Sequence, residues 1–158
     1  MKNILLLGAT GSIGKSVLSV IKQNQDELNL MGISFNTNIS KGTEIIEQFS
    51  PSYVHIENVS CFQEKKFFDT CSYINTPSEL EDLINHKEVD IIVCAISGFA
   101  GLKAAYMAAS SGKKILLANN ESVVAGGDLI LPIAKENKTE IIPIAVSYTH
   151  LTLPTKQD

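Results

Sequence analysis

The stretch "LLLGATGSIGKSVLSVI" (residues 5–21) constrains the fold more than any other part of the chain. The run "KNILLLG" is almost wholly apolar without alternation, as a strand covered on both faces of a parallel sheet must be. It ends at Gly8, and Gly11 and Gly14 follow at equal spacing. From Ser12 the apolar residues Ile13, Val17, Val20 and Ile21 recur at helical spacing. Strand, glycine-rich turn and helix therefore succeed one another within a few residues. Such a turn needs glycine where the backbone bends sharply and where a diphosphate approaches, and the helix start offers free N–H groups to an anion. A tight turn without a ligand is the competing reading, because a glycine triplet alone is a weak signal.

The same alternation continues along the chain. "LNLMGISF" reads as a second strand. Ile45, Ile46 and Phe49 mark a helix ended by Pro51, and "YVHI" follows as a third strand. "CFQEKKFF" reads as helical and "CSYIN" as a strand. In "TPSELEDLI", Thr76 is placed as N-cap, Pro77 at the first helical position and Glu79 for a capping box. "VDIIVCAI" (89–96) predicts a buried strand, "FAGLKAAYMAASSG" a helix closing at Gly112, and "KKILLAN" another strand. A last helix over about 127–137 and the strand "TEIIPI" complete the pattern. The expected fold is α/β, a doubly wound parallel sheet of Rossmann-like type, with ligands outside the carboxyl ends of the strands.

Length and charge narrow the function classes. A chain of 158 residues, 44% hydrophobic, can bury one substantial core. With a net charge of -4 and no run of Lys or Arg, nothing attracts it to nucleic acid or anionic lipid. Its most apolar stretch is broken by Ser97, Gly98, Gly101 and Lys103, so no membrane span is expected. Cys61, Cys71 and Cys94 form no CxxC pair and fit reduced thiols in a cytoplasmic protein. His55, His86 and His150 show no metal-ligand spacing and read as structural or exposed.

Three further features bear on a site. A dinucleotide unit that prefers NAD usually carries a carboxylate after its second strand, to hold the ribose 2′-hydroxyl. Here the sequence is "ISFNTNISK", and Ser34, Asn36, Thr37, Asn38 and Lys41 offer donors instead, which favours NADP. "LLANNESVV" delivers Asn119, Asn120, Glu121 and Ser122 from a strand end to the expected ligand edge, although "NNES" also suits a helix cap. "ISGFAG" (96–101) places a glycine turn near the same crevice, either lining the nicotinamide side or simply turning the chain.

In combination, "LLLGATGSIGKSVLSVI", "FSPSYVHI", "ISGFAGLKAA" and "LLANNESVVAGGDLI" resemble the amino-terminal domain of the 1-deoxy-D-xylulose-5-phosphate reductoisomerases over residues 1–144. The resemblance implies an enzyme that rearranges this sugar phosphate and reduces the resulting aldehyde with NADPH to 2-C-methyl-D-erythritol 4-phosphate, in non-mevalonate isoprenoid synthesis. It also implies a Mg or Mn ion and, at full length, a homodimer. By position, Thr10, Gly11, Ser12 and Ile13 match the family's phosphate-binding turn, and Asn119 and Glu121 match cofactor contacts. Asn36, Thr37 and Asn38 stand where the family usually has Gly-Lys-Asn. Asn120 stands where a substrate-site lysine is usual. Competing readings are another NADP-dependent dehydrogenase, of semialdehyde-dehydrogenase type, or a non-catalytic NADP-sensing module.

After "IIPI" the family continues Asp-Ser-Glu, whose carboxylates hold the metal, whereas this chain reads Ala145-Val146-Ser147. "VSYTHLTLPT" (146–155) is encoded by GTC TCT TAT ACA CAT CTG ACG CTG CCG ACG, a string resembling a transposon-derived sequencing adapter. The preceding bases would make Ala145 a hybrid codon sharing its first base with an Asp codon. The expectation is a dinucleotide-binding domain over 1–144 and a non-native, adapter-encoded tail over 145–158. The catalytic and carboxyl-terminal domains would be absent, and the fragment inactive.

Overall fold

The computed structural model describes residues 1–58, 71–118 and 127–144. Seven strands, β1 (Lys2–Leu7), β2 (Leu28–Phe35), β3 (Tyr53–Ile56), β4 (Ser72–Ile74), β5 (Ile91–Cys94), β6 (Lys114–Leu117) and β7 (Glu140–Pro143), form one parallel sheet. Their order is β4-β3-β2-β1-β5-β6-β7. The chain thus builds outward from β1 on one side, then returns to β1's other edge with β5, and the strand order reverses there. Crevices in open parallel sheets form at this switch point.

Among the described residues five helices cover the sheet: α1 (Ser12–Gln23), α2 (Ile39–Phe49), α3 (Pro77–Ile84), α4 (Gly98–Ala109) and α5 (Gly127–Glu136). Leu18 and Ile21 of α1 and Ile45 and Ile46 of α2 pack on Ile4, Leu6, Ile33 and Val54. On the opposite face α3, α4 and α5 bury Leu80, Ile84, Ala104, Ala108 and Ile130 against Leu5, Leu7, Ile92 and Ile115. Both faces of the central strands are covered, which is why β1 is apolar throughout rather than alternating.

A register shift between Ile4 and Leu5 changes the pairing from Ile4 with Leu30 to Leu5 with Gly32. The extra residue on β2 places Ser34 opposite Leu7, and the regular pairing of β2 with β3 places it opposite His55 as well. Ser34 consequently shares the α3 and α4 face of the sheet with Leu7, while Phe35 belongs to the other core.

The capping box at α3 is present: the Glu79 N–H donates to Thr76 Oγ1 at 3.1 Å, and the Thr76 N–H donates to Glu79 Oε1 at 3.2 Å. Two expected boundaries move inward. The strand read over 89–96 is confined to Ile91–Cys94, because the chain turns at Ser97 to start α4 and Gly98 takes φ 75°. The helix read as closing at Gly112 ends at Ala109, where the Ser110 and Ser111 hydroxyls donate back to the carbonyls of Met107 and Ala108. Gly112, at φ 77°, begins the approach to β6. The helix read in "CFQEKKFF" lies outside the described residues, while "CSYIN" contains β4.

Candidate functional site

Two of the three glycines in the first turn are required by contact. Gly8 adopts φ 90°, and a β-carbon there would lie 2.7 Å from the carbonyl carbon and oxygen of Ala95. The end of β1 is therefore pressed against the residue that follows β5. A β-carbon on Gly14 would lie 2.5 Å from the carbonyl oxygens of both Gly8 and Ala9, so α1 starts in contact with its own turn. Gly11 differs, since the nearest atom to such a β-carbon, the Gly8 oxygen, is 3.8 Å away. Its bare backbone faces open space, as close approach by a ligand demands.

The N–H groups of Gly8 and Ala9 both donate to the Ser34 carbonyl, at 3.0 and 2.9 Å, and tie the turn to β2. Gly11 is the N-cap of α1, and no side chain caps the helix. The first-turn N–H groups, including those of Ser12 and Ile13, have no intrahelical acceptor, and the helix dipole adds positive potential there. An anion fits this end of the helix on both counts.

Beside the turn lies a crevice of about 370 Å³ at the carboxyl ends of β1, β2, β3 and β5, bordered by α3 and α4. Its floor includes Gly8, Thr10 and Gly11; Ser34, Phe35 and Asn36 come from the end of β2, and His55 and Glu57 from the end of β3. Leu80, Ile96, Ala104 and Met107 give it an apolar wall, and Lys103 brings a cationic group. A volume in this range suits part of a dinucleotide or a comparable small ligand.

The expected site residues distribute unevenly. Thr10, Gly11 and Asn36 line the crevice, and Ser12 and Ile13 present the helix start beside it. Asn38 is the N-cap of α2, its Oδ1 accepting from the Lys41 N–H at 3.1 Å, and Thr37 accepts the Ile39 N–H at 2.8 Å. Neither borders the crevice. Asn119, Asn120 and Glu121 lie outside the described residues, as does the 145–158 tail. Ile96, Ser97 and Ala100 of "ISGFAG" do line the crevice, together with the ends of β2 and β3.

His55 is the contribution that sequence reading missed. It is 2% exposed and pairs with Ser34, Oγ to Nδ1, at 3.0 Å. Burial lowers its pKa, partly offset by Glu57 and Glu79. Lone histidines carry no sequence period, and this one is linked to Ser34 only by the pairing of β2 with β3. His86, by contrast, lies at the other end of β5, its Nδ1 accepting from the Glu88 N–H at 3.1 Å. The buried Cys94 thiol is pushed up to about 12 by desolvation, so it stays protonated and poorly nucleophilic.

A nicotinamide dinucleotide fits this donor set, because Gly11 leaves backbone access and the first-turn N–H groups of α1 lack acceptors among the described residues. A metal does not fit among the described residues, where no three His, Cys, Asp or Glu side chains are placed to hold one. Nor is any helix among them long and apolar enough to cross a membrane.

A parallel sheet with a glycine turn at its switch point defines a Rossmann-like domain. The chain matches the family model for 1-deoxy-D-xylulose 5-phosphate reductoisomerase over residues 4–127. It belongs to that family. It is 37% identical over 146 residues to the 1-deoxy-D-xylulose 5-phosphate reductoisomerase of Vesicomyosocius okutanii, covering 91% of this chain and 38% of the relative. The Zymomonas mobilis enzyme, solved in complex with NADPH, superposes with a TM-score of 0.83 at 28% identity, over 91% of this chain and 38% of the other. A DOX-P reductoisomerase complex with NADPH, fosmidomycin and magnesium gives a TM-score of 0.81 at 31% identity, over 90% and 36%. The chain thus spans less than two-fifths of the length of these relatives.

Proposed function

We propose that the chain is the NADPH-binding part of an enzyme that converts 1-deoxy-D-xylulose 5-phosphate to 2-C-methyl-D-erythritol 4-phosphate. The observation that carries this reading is the uncapped start of α1 behind the open Gly11 position, on the floor of a switch-point crevice. The solved relative from Zymomonas mobilis is a complex with NADPH, and family membership transfers that ligand class to this crevice. When bound, NADPH supplies a hydride. The chain's own residues bind and orient it: Thr10, Gly11 and the N–H groups of Ser12 and Ile13 take the diphosphate, and the apolar wall excludes water.

Asn36, with Thr37 and Asn38 beyond it, is proposed to face the 2′-phosphate, where an acidic residue would repel it. Asn119 and Glu121 are assigned to cofactor contact and Asn120 to the sugar phosphate by family position. The metal-dependent rearrangement, the sugar-phosphate substrate, a homodimer and a cytoplasmic location with free thiols are proposed by analogy with the full-length family enzymes. Residues 145–158 are proposed to be adapter-encoded; reading the source DNA across Ile144 tests that, since an Asp-Ser-Glu codon series there supports it and a genuine "AVSYTHLTLPTKQD" frame refutes it.

Titration of the chain with NADPH and NADH, followed by cofactor fluorescence, tests the central reading. Saturable binding that favours NADPH is expected. No binding of either, in a chain whose circular dichroism shows the α/β fold, would overturn it.

A further inference from the structure

Within the crevice, His55 and Glu57 form a pair that the glycine-turn reading does not use. His55 is 2% exposed but lines the cavity, and its Nδ1 is occupied by the Ser34 hydroxyl at 3.0 Å. Its Nε2 stands 4.0 Å from Glu57 Oε1, beyond hydrogen-bond range, and makes no hydrogen bond among the described residues. The tautomer follows from charge: a bare Nε2 would aim its lone pair at the Glu57 carboxylate. The hydrogen is therefore assigned to Nε2, and the Ser34 hydroxyl donates to Nδ1. This leaves a buried donor with no acceptor, directed into a cavity, and such a group is costly unless a ligand meets it.

Glu57 is 68% exposed and as a carboxylate only accepts. The crevice thus offers one donor and one acceptor 4.0 Å apart, beside Leu80, Ile96, Ala104 and Met107. A flat heterocycle with an amino group next to a ring nitrogen is the complement. Adenine presents that edge, with N6–H donating and an adjacent ring nitrogen accepting. A phosphate group is disfavoured at this point, because the Glu57 carboxylate would repel it. With N7 as the accepting ring nitrogen, a 6-oxo purine in the same orientation is disfavoured, since its O6 would face that carboxylate where N6–H donates in adenine.

We propose that His55 and Glu57 read the amino edge of the cofactor's adenine, His55 Nε2–H donating to N7 and Glu57 accepting from N6. This rests on the NADPH-binding reading and extends it by naming the two side chains of this chain that meet the amino edge of the base. Ser34 is a positioning residue. Its hydroxyl fixes the imidazole while its carbonyl holds the Gly8 and Ala9 N–H groups, so one residue sets both the base reader and the phosphate turn.

The test compares NADPH with its hypoxanthine analogue, in which the 6-amino group is replaced by oxygen. The intact chain is expected to bind NADPH about tenfold or more tightly than the analogue, the equivalent of one charged hydrogen bond. Glu57→Gln, at an exposed position and carrying an amide donor, is expected to shrink or reverse that ratio. Glu57→Gln should melt like the native chain, whereas His55→Val, which also strands the buried Ser34 hydroxyl, should weaken NADPH and lower the melting temperature. Equal binding of both ligands by the native chain, or an unchanged ratio in Glu57→Gln, overturns the adenine assignment while leaving the cofactor reading intact. Failure to bind NADPH at all overturns the cofactor reading and this assignment with it.

Discussion

A β-carbon at Gly14 would have to fit 2.5 Å from two carbonyl oxygens, and backbone cannot retreat as a side chain can. Gly14→Ala is therefore expected to destabilise the chain by about 2–3 kcal/mol, read as a lower urea midpoint with an unchanged slope. His55 makes a different prediction. Because burial lowers its pKa from the ordinary 6.5, with Glu57 and Glu79 pulling partly the other way, the unfolded chain takes up the proton first. Its contribution to stability is complete above that ordinary value and is lost as pH falls through the lower folded value. A melting temperature that declines as pH falls below the ordinary 6.5, less steeply in His55→Val, is the expected profile. His55→Val alone strands the buried Ser34 hydroxyl and should cost about 1–3 kcal/mol. The double substitution with Ser34→Val should recover most of that, because neither partner is then left unpaired, and a double-mutant cycle measures the difference.

At the scale of elements, α3 depends on its first turn. Thr76→Ala removes the hydroxyl that accepts the Glu79 N–H and should cost about 1 kcal/mol. Glu79 is held below its ordinary carboxylate value, first by the Asn75 N–H and then by Thr76. Its contribution is present above that ordinary value and fades as pH falls through the lower folded one, so thermal melts in mild acid should separate the native chain from Glu79→Gln less than melts at neutral pH. This capping box was legible in sequence because it is local: Thr76, Pro77 and Glu79 signal one another across three positions. The strands and their parallel arrangement were legible too, since apolar runs broken by helical periods admit few topologies. The extra residue in β2 was not. It depends on how Leu30 and Gly32 pair with Ile4 and Leu5, and it decides that Ser34 lies beside Leu7; that Ser34 meets His55 across 21 positions of sequence depends on the register of β3 against β2. The glycine turn, encoded contiguously, gave half the candidate site. The His55 and Glu57 half exists only once β3 lies beside β2.

For the whole molecule, the sheet order brings the ends of β1 and β5 together, and the crevice opens where the chain reverses direction across the sheet. Lys113 holds the far end, its Nζ donating to the His86 and Val89 carbonyls at 2.8 and 2.9 Å. Thr139 Oγ1 accepts from the Gly112 N–H at 2.8 Å and donates to the Ala109 carbonyl at 2.6 Å, joining the start of β7 to the end of α4. The amino ends of β5 and β6 and the segment before β7 are thus pinned by polar contacts, whereas at the crevice the first-turn N–H groups of α1 have no acceptor among the described residues. A ligand that meets those donors binds the folded chain and not the unfolded one. NADPH at a hundredfold its dissociation constant should therefore add about 2.7 kcal/mol, and raise the melting temperature by roughly 5–10 °C. NADH at the same concentration should raise it less. Gly11→Ala separates ligand from fold: its β-carbon meets nothing closer than 3.8 Å, so the unliganded melt should move little, by less than about 1 kcal/mol for the altered N-cap. The NADPH-induced rise, however, should largely disappear, because the β-carbon then stands where the diphosphate must pass. A Gly11→Ala chain that keeps the full rise would place the cofactor elsewhere than on this turn.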